Sequence, residues 1–322
     1  MTVSKKSLFF LLKIVIAVVV LIWVVQKVQY ATIMKTLQNP ESPRYIVFAI
    51  LLLIPNLGLQ WYRWFFLLRL IKSDIRIGES LMSLMGGLTV GLVTPGRIGE
   101  FGRALFISGI NSIKAIGLIF IDKFYASVIV IIFGLWGVIS YLGFKLGNDL
   151  FLLAPLTGLA ILATGIGIYL LLMPKHLHTF FYNISLLLPF RDKMRQFIEG
   201  IDHFKSGKAK WFLLLSVLLY STYIMQFSLL ALSFESISIH ALITSTTSTM
   251  FTKIVLPVSL GDLGIREGAA IYFFKSFGVQ KATAFNSAFL LFLINVMIPA
   301  IIGLFFIPRL GWRENGHSSS ES

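Results

Sequence analysis

The sequence predicts an all-α polytopic membrane protein with about six full spans plus two re-entrant helical hairpins, arranged as inverted repeats. Three observations lead to this prediction. Of the 322 residues, 57% are hydrophobic and only 13% are charged, about half the charged share of a typical soluble domain. Several apolar runs are long enough to cross a bilayer. Two further apolar runs, one in each half of the chain, are broken by proline and glycine and contain clustered charges, which indicates an internal repeat.

The full spans follow from apolar runs of about the length that crosses a ~30 Å hydrocarbon core. They are predicted at residues 8–25, 45–70, 113–141, 151–173, 211–234 and 282–307. The first run follows Lys5 and Lys6 and lacks a small-residue cleavage site, so we predict an uncleaved span. At the end of the second run, Arg63 and Arg69 are expected to extend towards the headgroups.

Four regions organise the chain. Residues 1–173 form an N-terminal membrane half that contains a first hairpin at 81–108. Residues 174–210 mix phenylalanines and leucines with lysines and arginines, which predicts an amphipathic connection on the cytoplasmic membrane surface. Residues 211–307 form a second membrane half with a hairpin at 239–277, and residues 308–322 are a polar tail that is predicted to be disordered.

The first hairpin is predicted from the stretch TVGLVTPGRIGEFGRALFI at residues 89–107. Thr94 and Pro95 suit the N-cap and first position of a new helix. That helix, over residues 96–108, would be about 20 Å long and too short to cross the membrane. In the second hairpin, a Ser/Thr-rich segment containing Lys253 is broken at Pro257 and followed by GDLGIREGAA.

The distribution of Lys and Arg predicts the orientation. If both termini are cytoplasmic and each hairpin returns to its own side, most basic residues lie inside. The protein is then a multi-pass protein of the cell (inner, cytoplasmic) membrane, and the hairpins enter from opposite faces. These basic loops, which face anionic lipid, explain the net charge of +14. The sequence contains no basic soluble module and therefore does not predict nucleic-acid binding.

The substrate site is predicted where the second limbs of the hairpins begin near the membrane midplane. Helix N-termini and cations favour an anion such as a phosphate, and charges at this depth usually mark a site. The predicted site residues are Arg97, Glu100, Arg103, Lys253, Asp262, Arg266 and Glu267. Two alternatives stay open: a structural ion network, and Asp262 as a simple helix cap. The adjacent Asp122 and Lys123 are interpreted as structural, each with its own partner.

The sequence predicts neither a cofactor nor a metal site. It contains no cysteine and therefore no disulfide or thiolate ligand. His176, His178 and His203 lack the spacing and acidic partners of a metal site. No phosphate-binding loop, dinucleotide fingerprint or nucleophile elbow is present in the sequence.

The motif PGRIGEFGR, followed later by LPVSLGDLGIREG, resembles the lysylphosphatidylglycerol synthase transmembrane region family of flippase-like membrane proteins over nearly the whole chain. Asp262 departs from the more glycine-rich run expected there. The resemblance implies translocation of a lipid or lipid-linked headgroup. We therefore predict a transporter, and not an enzyme, for an anionic phospholipid or a polyprenyl-phosphate-linked substrate. The alternatives are a transporter of a small soluble anion, a membrane glycosyl or aminoacyl transferase, and a membrane subunit that accompanies a separate synthase partner.

Overall fold

The computed structural model describes residues 30–92, 94, 96–147, 149–186, 191–256 and 263–305. Within these ranges every regular element is a helix. The predicted first span at 8–25, the polar tail at 308–322 and the predicted site residue Asp262 lie outside the described residues.

Thirteen α-helices are described, together with a 3₁₀ helix and one π turn. In chain order they are α1 (Tyr30–Gln38), α2 (Pro43–Leu51), α3 (Leu53–Leu68), α4 (Ile77–Leu92), the 3₁₀ helix (Ile98–Phe106), α5 (Ser112–Leu146), α6 (Leu150–Leu172), α7 (Lys175–Ser185), α8 (Arg191–Asp202), α9 (Ser206–Leu232), α10 (Ile239–Val255), α11 (Ile265–Ser276), α12 (Lys281–Phe292), the π turn (Leu293–Met297) and α13 (Ile298–Leu304).

Five helical segments of the described chain are long and apolar enough to cross a membrane. They are Pro43–Leu68, Ser112–Leu146, Leu150–Leu172, Ser206–Leu232 and Lys281–Leu304. These segments coincide with the second to sixth predicted spans. The protein is therefore an all-helical, multi-pass membrane protein, as the sequence predicted.

Side-chain caps fix where several of these helices begin. The Asn111 side chain accepts hydrogen bonds from the backbone N–H groups of Ile113 and Lys114, and Asp149 caps the start of α6 in the same way. At the other end of α5, Gly147 adopts a left-handed conformation with φ of 67°. Such a residue ends a helix without the steric cost of a Cβ atom.

The first hairpin consists of α4 and the 3₁₀ helix, which pack along each other. The predicted helix start at Thr94 was wrong in detail. The second limb begins at Ile98, after Gly96 and Arg97 adopt left-handed φ values of 58° and 56°, because this reversal prevents a continuous helix at those residues. Thr94 still acts as a cap, since its Oγ1 accepts a hydrogen bond from Gly99 N at 2.7 Å.

The second hairpin consists of α10 and α11, which also pack on each other. At 1.5 Å per residue, the 17 residues of α10 extend about 25 Å and the 12 residues of α11 about 18 Å. Both lengths fall short of a ~30 Å hydrocarbon core. Length therefore favours a re-entrant hairpin in this half as well as in the first.

Each hairpin packs against a helix that belongs to the other half of the chain. Helix α4 lies against α13, which belongs to the span after the second hairpin, and α10 lies against α5, the span after the first. Glycines allow both contacts: a Cβ on Gly303 would collide with Thr89 Oγ1, and one on Gly137 with Thr247 Oγ1. Reciprocal packing of this kind is what two related halves predict.

The basic connection between the halves contains α7 and α8. Their aromatic residues pack on α5: the Phe181 and Phe197 rings lie 5.0 and 5.8 Å from the Phe120 ring. The Lys114–Glu199 ion pair at 2.8 Å joins α5 to α8. The sequence prediction assigned the apolar residues of this connection to a lipid surface. The structure instead buries part of them against protein, because α5 is 35 residues long and extends beyond a ~30 Å core.

Candidate functional site

A cavity of about 380 Å³ lies between the two hairpins. The first hairpin contributes Arg97, Glu100 and Phe101, and the second contributes Lys253 and Arg266. The remaining lining residues come from α5, α9 and the last span; they include Lys123, Tyr220, Tyr223 and Asn295. Among the described residues, four cationic side chains and one carboxylate therefore line this cavity, together with mainly apolar neighbours.

Glu100 holds two of these cations. Its carboxylate forms ion pairs with Arg97 at 2.6 Å and with the Lys123 ammonium of α5. The Glu100 side chain is 6% exposed, whereas the Lys123 side chain is 37% exposed. The carboxylate thus lies behind its partners, and the cations are closer to the open cavity.

A second charged cluster adjoins the first at a smaller cavity of about 110 Å³. Asp122 binds Arg63 at 2.8 Å through one carboxylate oxygen and Arg103 at 2.7 Å through the other. The two guanidinium groups also stack on aromatic rings, Arg63 on Phe212 and Arg103 on Trp64. Arg103 therefore lines the smaller cavity and does not line the larger one.

The expectation that Arg63 extends to the headgroups was wrong. Its side chain is 2% exposed and bonds both the Asp122 carboxylate and the Asp122 backbone carbonyl. Because α3 packs against α5 in the interior, the Arg63 guanidinium lies beside the Asp122 carboxylate. This buried counterion stabilises its charge in place of water. The prediction that Asp122 and Lys123 have different partners is confirmed, with Asp122 on Arg63 and Arg103 and Lys123 on Glu100.

In the second hairpin, Arg266 and Glu267 form a buried pair at 2.7 Å. The other Glu267 oxygen accepts a hydrogen bond from Gly264 N at 2.6 Å, which caps the start of α11. Gly264 has φ of 89°, a region that favours glycine. Arg266 lines the cavity, whereas Glu267 does not. Glu267 thus secures both the helix start and the position of the cavity arginine.

Glycines in α4 determine how closely the charged 3₁₀ helix can approach. A Cβ on Gly91 would lie 2.6 Å from Glu100 Cγ, and one on Gly87 would lie 2.7 Å from Arg103 Cβ. Both distances are too short for a real contact. Ser83 supports the same packing, because its Oγ donates to the Arg103 carbonyl at 2.7 Å and accepts from Trp64 Nε1.

Of the predicted site residues, the structure brings Arg97, Glu100, Lys253 and Arg266 together at one cavity. Arg103 and Glu267 support that cavity from outside it, and Asp262 lies outside the described residues. Sequence reasoning missed Lys123 as a lining residue. The signal available was its position two turns inside a predicted span, where a lysine is costly, but its partner Glu100 is 23 residues away and only the fold brings the two together.

The fold and cavity define a class: a polytopic helical membrane protein with a charged internal cavity formed by two broken-helix hairpins. The family model described as the lysylphosphatidylglycerol synthase TM region matches residues 10–303. The chain belongs to this family, which links it to lipid handling in a membrane. Neither the comparison with curated proteins nor the comparison with solved structures gave a match.

Proposed function

We propose that this protein is a flippase-like transporter of the cell membrane that binds the phosphate headgroup of an anionic lipid, or of a polyprenyl-phosphate-linked substrate, in the cavity between the hairpins. The proposed activity is transport, without a chemical reaction. We also propose that both termini are cytoplasmic and that any synthase partner is a separate protein.

The observation that carries the proposal is the convergence of cations from both hairpins on one cavity. Arg97, Lys253 and Arg266 of the hairpins line it together with Lys123 of α5. Arg63 and Arg103 lie at the adjoining smaller cavity. A phosphate can accept several charge-assisted hydrogen bonds at once from such a group of cations.

A role for Glu100 follows from the geometry. Its carboxylate forms ion pairs with both Arg97 and Lys123. An entering phosphate competes for the same two cations and, once it leaves, Glu100 pairs with them again. This exchange limits the cost of an empty site and keeps the affinity low enough for release.

The test is lipid binding and transbilayer movement by the purified protein in vesicles. Native mass spectrometry should find phosphate-containing lipids bound to the wild-type protein. Arg97→Asn suits the left-handed backbone at this position, since asparagine tolerates it. This variant should lose about tenfold or more in lipid binding and transport, because a hydrogen bond to a charged group contributes ~1.5–3 kcal/mol.

Arg195→Gln is the matched control, because it removes a cation whose side chain is 83% exposed on α8. It should leave binding and transport close to wild type. Equal behaviour of the Arg97 and Arg195 variants would contradict the proposed site. Saturable uptake of a soluble phosphate, without lipid binding, would favour the small-anion transporter instead.

A further inference from the structure

In the described part of the chain, Glu100 is the one carboxylate that lines the larger cavity. Its two oxygens pair with Arg97 and with the Lys123 ammonium, and both of these cations line the same cavity. The Glu100 side chain is only 6% exposed. A phosphate that takes these two cations therefore removes the counterions of a carboxyl group that has little access to water.

The other carboxylates that support the site keep a partner when a phosphate enters. Asp122 binds two arginines, neither of which lines the larger cavity. Glu267 keeps the backbone N–H of Gly264 on one oxygen, whatever group Arg266 contacts on the cavity side. The Glu100 carboxyl is therefore the acidic group whose surroundings change most when the cavity is filled.

The surroundings of Glu100 offer no substitute for its two partners in the described structure. Helix α4 meets it with Gly87 and Gly91. The charged and titratable side chains that line the same two cavities are Arg97 and Arg103 of the first hairpin, Asp122 and Lys123 of α5, Arg63 of α3, Tyr220 and Tyr223 of α9, and Lys253 and Arg266 of the second hairpin. The cations among them are bound to Asp122 or are proposed contacts of the phosphate.

We propose that Glu100 takes up a proton when a phosphodiester binds, and that the protein moves this proton together with the phosphodiester, as a symporter. The phosphodiester anion replaces the carboxylate as the counterion of Arg97 and Lys123. The proton neutralises the carboxyl group, so the total charge of the filled site equals that of the empty one. A buried carboxyl group without a counterion favours its neutral form. This inference rests on the proposed function, because it assumes a phosphate in the larger cavity.

The ion pair itself provides the route for the proton. The Lys123 ammonium donates a hydrogen bond to Glu100 Oε2, and the Lys123 side chain is 37% exposed and lines both cavities. The ammonium passes this proton to the carboxylate, and the resulting amine takes another from water in the cavity. The net change is one proton transferred from water to Glu100, while Lys123 is again an ammonium that binds the phosphate.

The test counts the protons that accompany binding. Phosphatidylglycerol is the probe, because its phosphodiester does not titrate near neutral pH, whereas a phosphate monoester titrates at about pH 6. Purified protein in detergent is titrated with the short-chain lipid by calorimetry, in two buffers of different ionisation enthalpy. We expect wild type to take up about one proton per lipid at pH 7. Because the complex holds more protons than the free protein, Kd should rise by up to about tenfold per pH unit.

Glycerophosphoglycerol, the same headgroup without acyl chains, is titrated in parallel. Proton uptake with either probe supports the inference, and the tighter of the two identifies the source of the phosphodiester as a lipid or a soluble molecule.

Glu100→Gln keeps the size of the side chain and removes its titration. This variant should bind phosphatidylglycerol without proton uptake and with a Kd that does not depend on pH. Glu199→Gln is the matched control. Glu199 is also paired with a lysine of α5, Lys114 at 2.8 Å, but its side chain is 37% exposed and lines neither cavity. The control should take up a proton as wild type does.

Transport in vesicles tests the symport directly. A pH gradient should enrich phosphatidylglycerol in the leaflet on the alkaline side, by up to about tenfold per pH unit for one proton per headgroup. Protein-free vesicles and vesicles with Glu100→Gln provide the baseline. Enrichment by wild type that does not exceed this baseline would refute the symport.

The outcomes separate the two proposals. If wild type binds phosphatidylglycerol without proton uptake, the role of Glu100 is wrong while the phosphate site stands. Proton uptake by Glu100→Gln at the wild-type level would assign the titration to another group and overturn the inference. If wild type binds neither probe, the proposed function fails. Because the first measurement uses wild type alone, the inference stays testable even if Glu100→Gln does not fold.

Discussion

At the scale of single residues, the structure separates charges that hold the fold together from charges that face a ligand. Asp122 binds two arginines that are 2% and 3% exposed, so its position is structural. Lys123, the next residue, lines the cavity and is more exposed. Arg97 adopts a left-handed backbone conformation with φ of 56°, a cost that is commonly found at functional sites.

This separation predicts opposite effects for two neighbouring substitutions. Asp122→Asn leaves Arg63 and Arg103 without their carboxylate and should lower the free energy of unfolding by about 3–5 kcal/mol. It should be visible as a lower Tm and reduced accumulation in the membrane. Lys123→Gln should keep the Tm near wild type and weaken phosphate-lipid binding. Equal thermal stability of the two variants would refute the division.

Arg266 combines both roles, since it lines the cavity and pairs with the helix-capping Glu267. Arg266→Gln should therefore lower both the Tm and ligand binding. Lys253→Gln is also expected to reduce binding, as measured on the same preparations. If the Tm of Arg266→Gln equals that of wild type, the ion pair between Arg266 and Glu267 does not stabilise the fold.

At the scale of elements, close packing of α4 on the 3₁₀ helix determines where the charges lie. Small residues along α4 let the backbone of the second limb approach, and Ser108 closes the hairpin base by donating to Glu79 Oε1 from both its N–H and its hydroxyl. The 3₁₀ helix thus has little freedom to shift. We expect ligand binding to depend on this packing even where no lining residue is altered.

Gly91→Ala tests that dependence. The added methyl group would lie 2.6 Å from Glu100 Cγ, so the Glu100 side chain or the 3₁₀ helix must shift, and we expect this shift to disturb the Glu100 ion pairs. Lipid binding should fall by about tenfold or more, while the helical circular dichroism signal persists. Gly165→Ala in α6 is the control, since its Cβ meets nothing within 4 Å and alanine favours a helix. Reduced binding in both variants would argue against a local effect.

At the scale of the whole molecule, the hairpins of the two halves share one cavity, and each hairpin packs on the span that follows the other. The inverted repeat predicted from the sequence implies that they enter from opposite membrane faces. Irregular backbone at membrane depth is tolerated where it is buried in protein or lines a cavity, and the Arg97 turn meets this condition.

The orientation is tested by thiol labelling in whole cells, because the chain contains no cysteine. His203→Cys, in the predicted cytoplasmic connection, should be protected from an impermeant maleimide. Asn148→Cys, in the predicted extracytoplasmic loop, should react. The reverse pattern would overturn both the orientation and the direction in which each hairpin enters.

Convergence of the two hairpins is tested by cross-linking. Ile98, which lines the cavity and is 64% exposed, is predicted to lie near Leu263 across the centre. The double variant Ile98→Cys/Leu263→Cys should be joined by bifunctional thiol reagents, or by a disulfide if the Cα atoms lie within about 7 Å. Bound lipid should slow the reaction. The pair Ile98→Cys/Ile243→Cys is the control, since Ile243 lines a different cavity; cross-linking of the control alone would disprove convergence.

The sequence by itself determined the class of protein, the positions of five described spans and the existence of both broken hairpins. Long apolar runs and proline breaks are local signals, so membrane insertion can be predicted from them without knowledge of any tertiary contact. The motifs around Arg97 and Arg266 likewise indicated the family, because they lie in short continuous stretches.

Only the tertiary structure decided which charges meet. Glu100 pairs with Lys123, and Asp122 with Arg63, over separations of 23 and 59 residues, and periodicity within one helix carries no information about such partners. The same holds for the Asn295 amide, whose Nδ2 donates to Gln226 Oε1 over a separation of 69 residues. A buried charge or amide is positioned by the partner that satisfies it, and in this protein those partners lie on different helices.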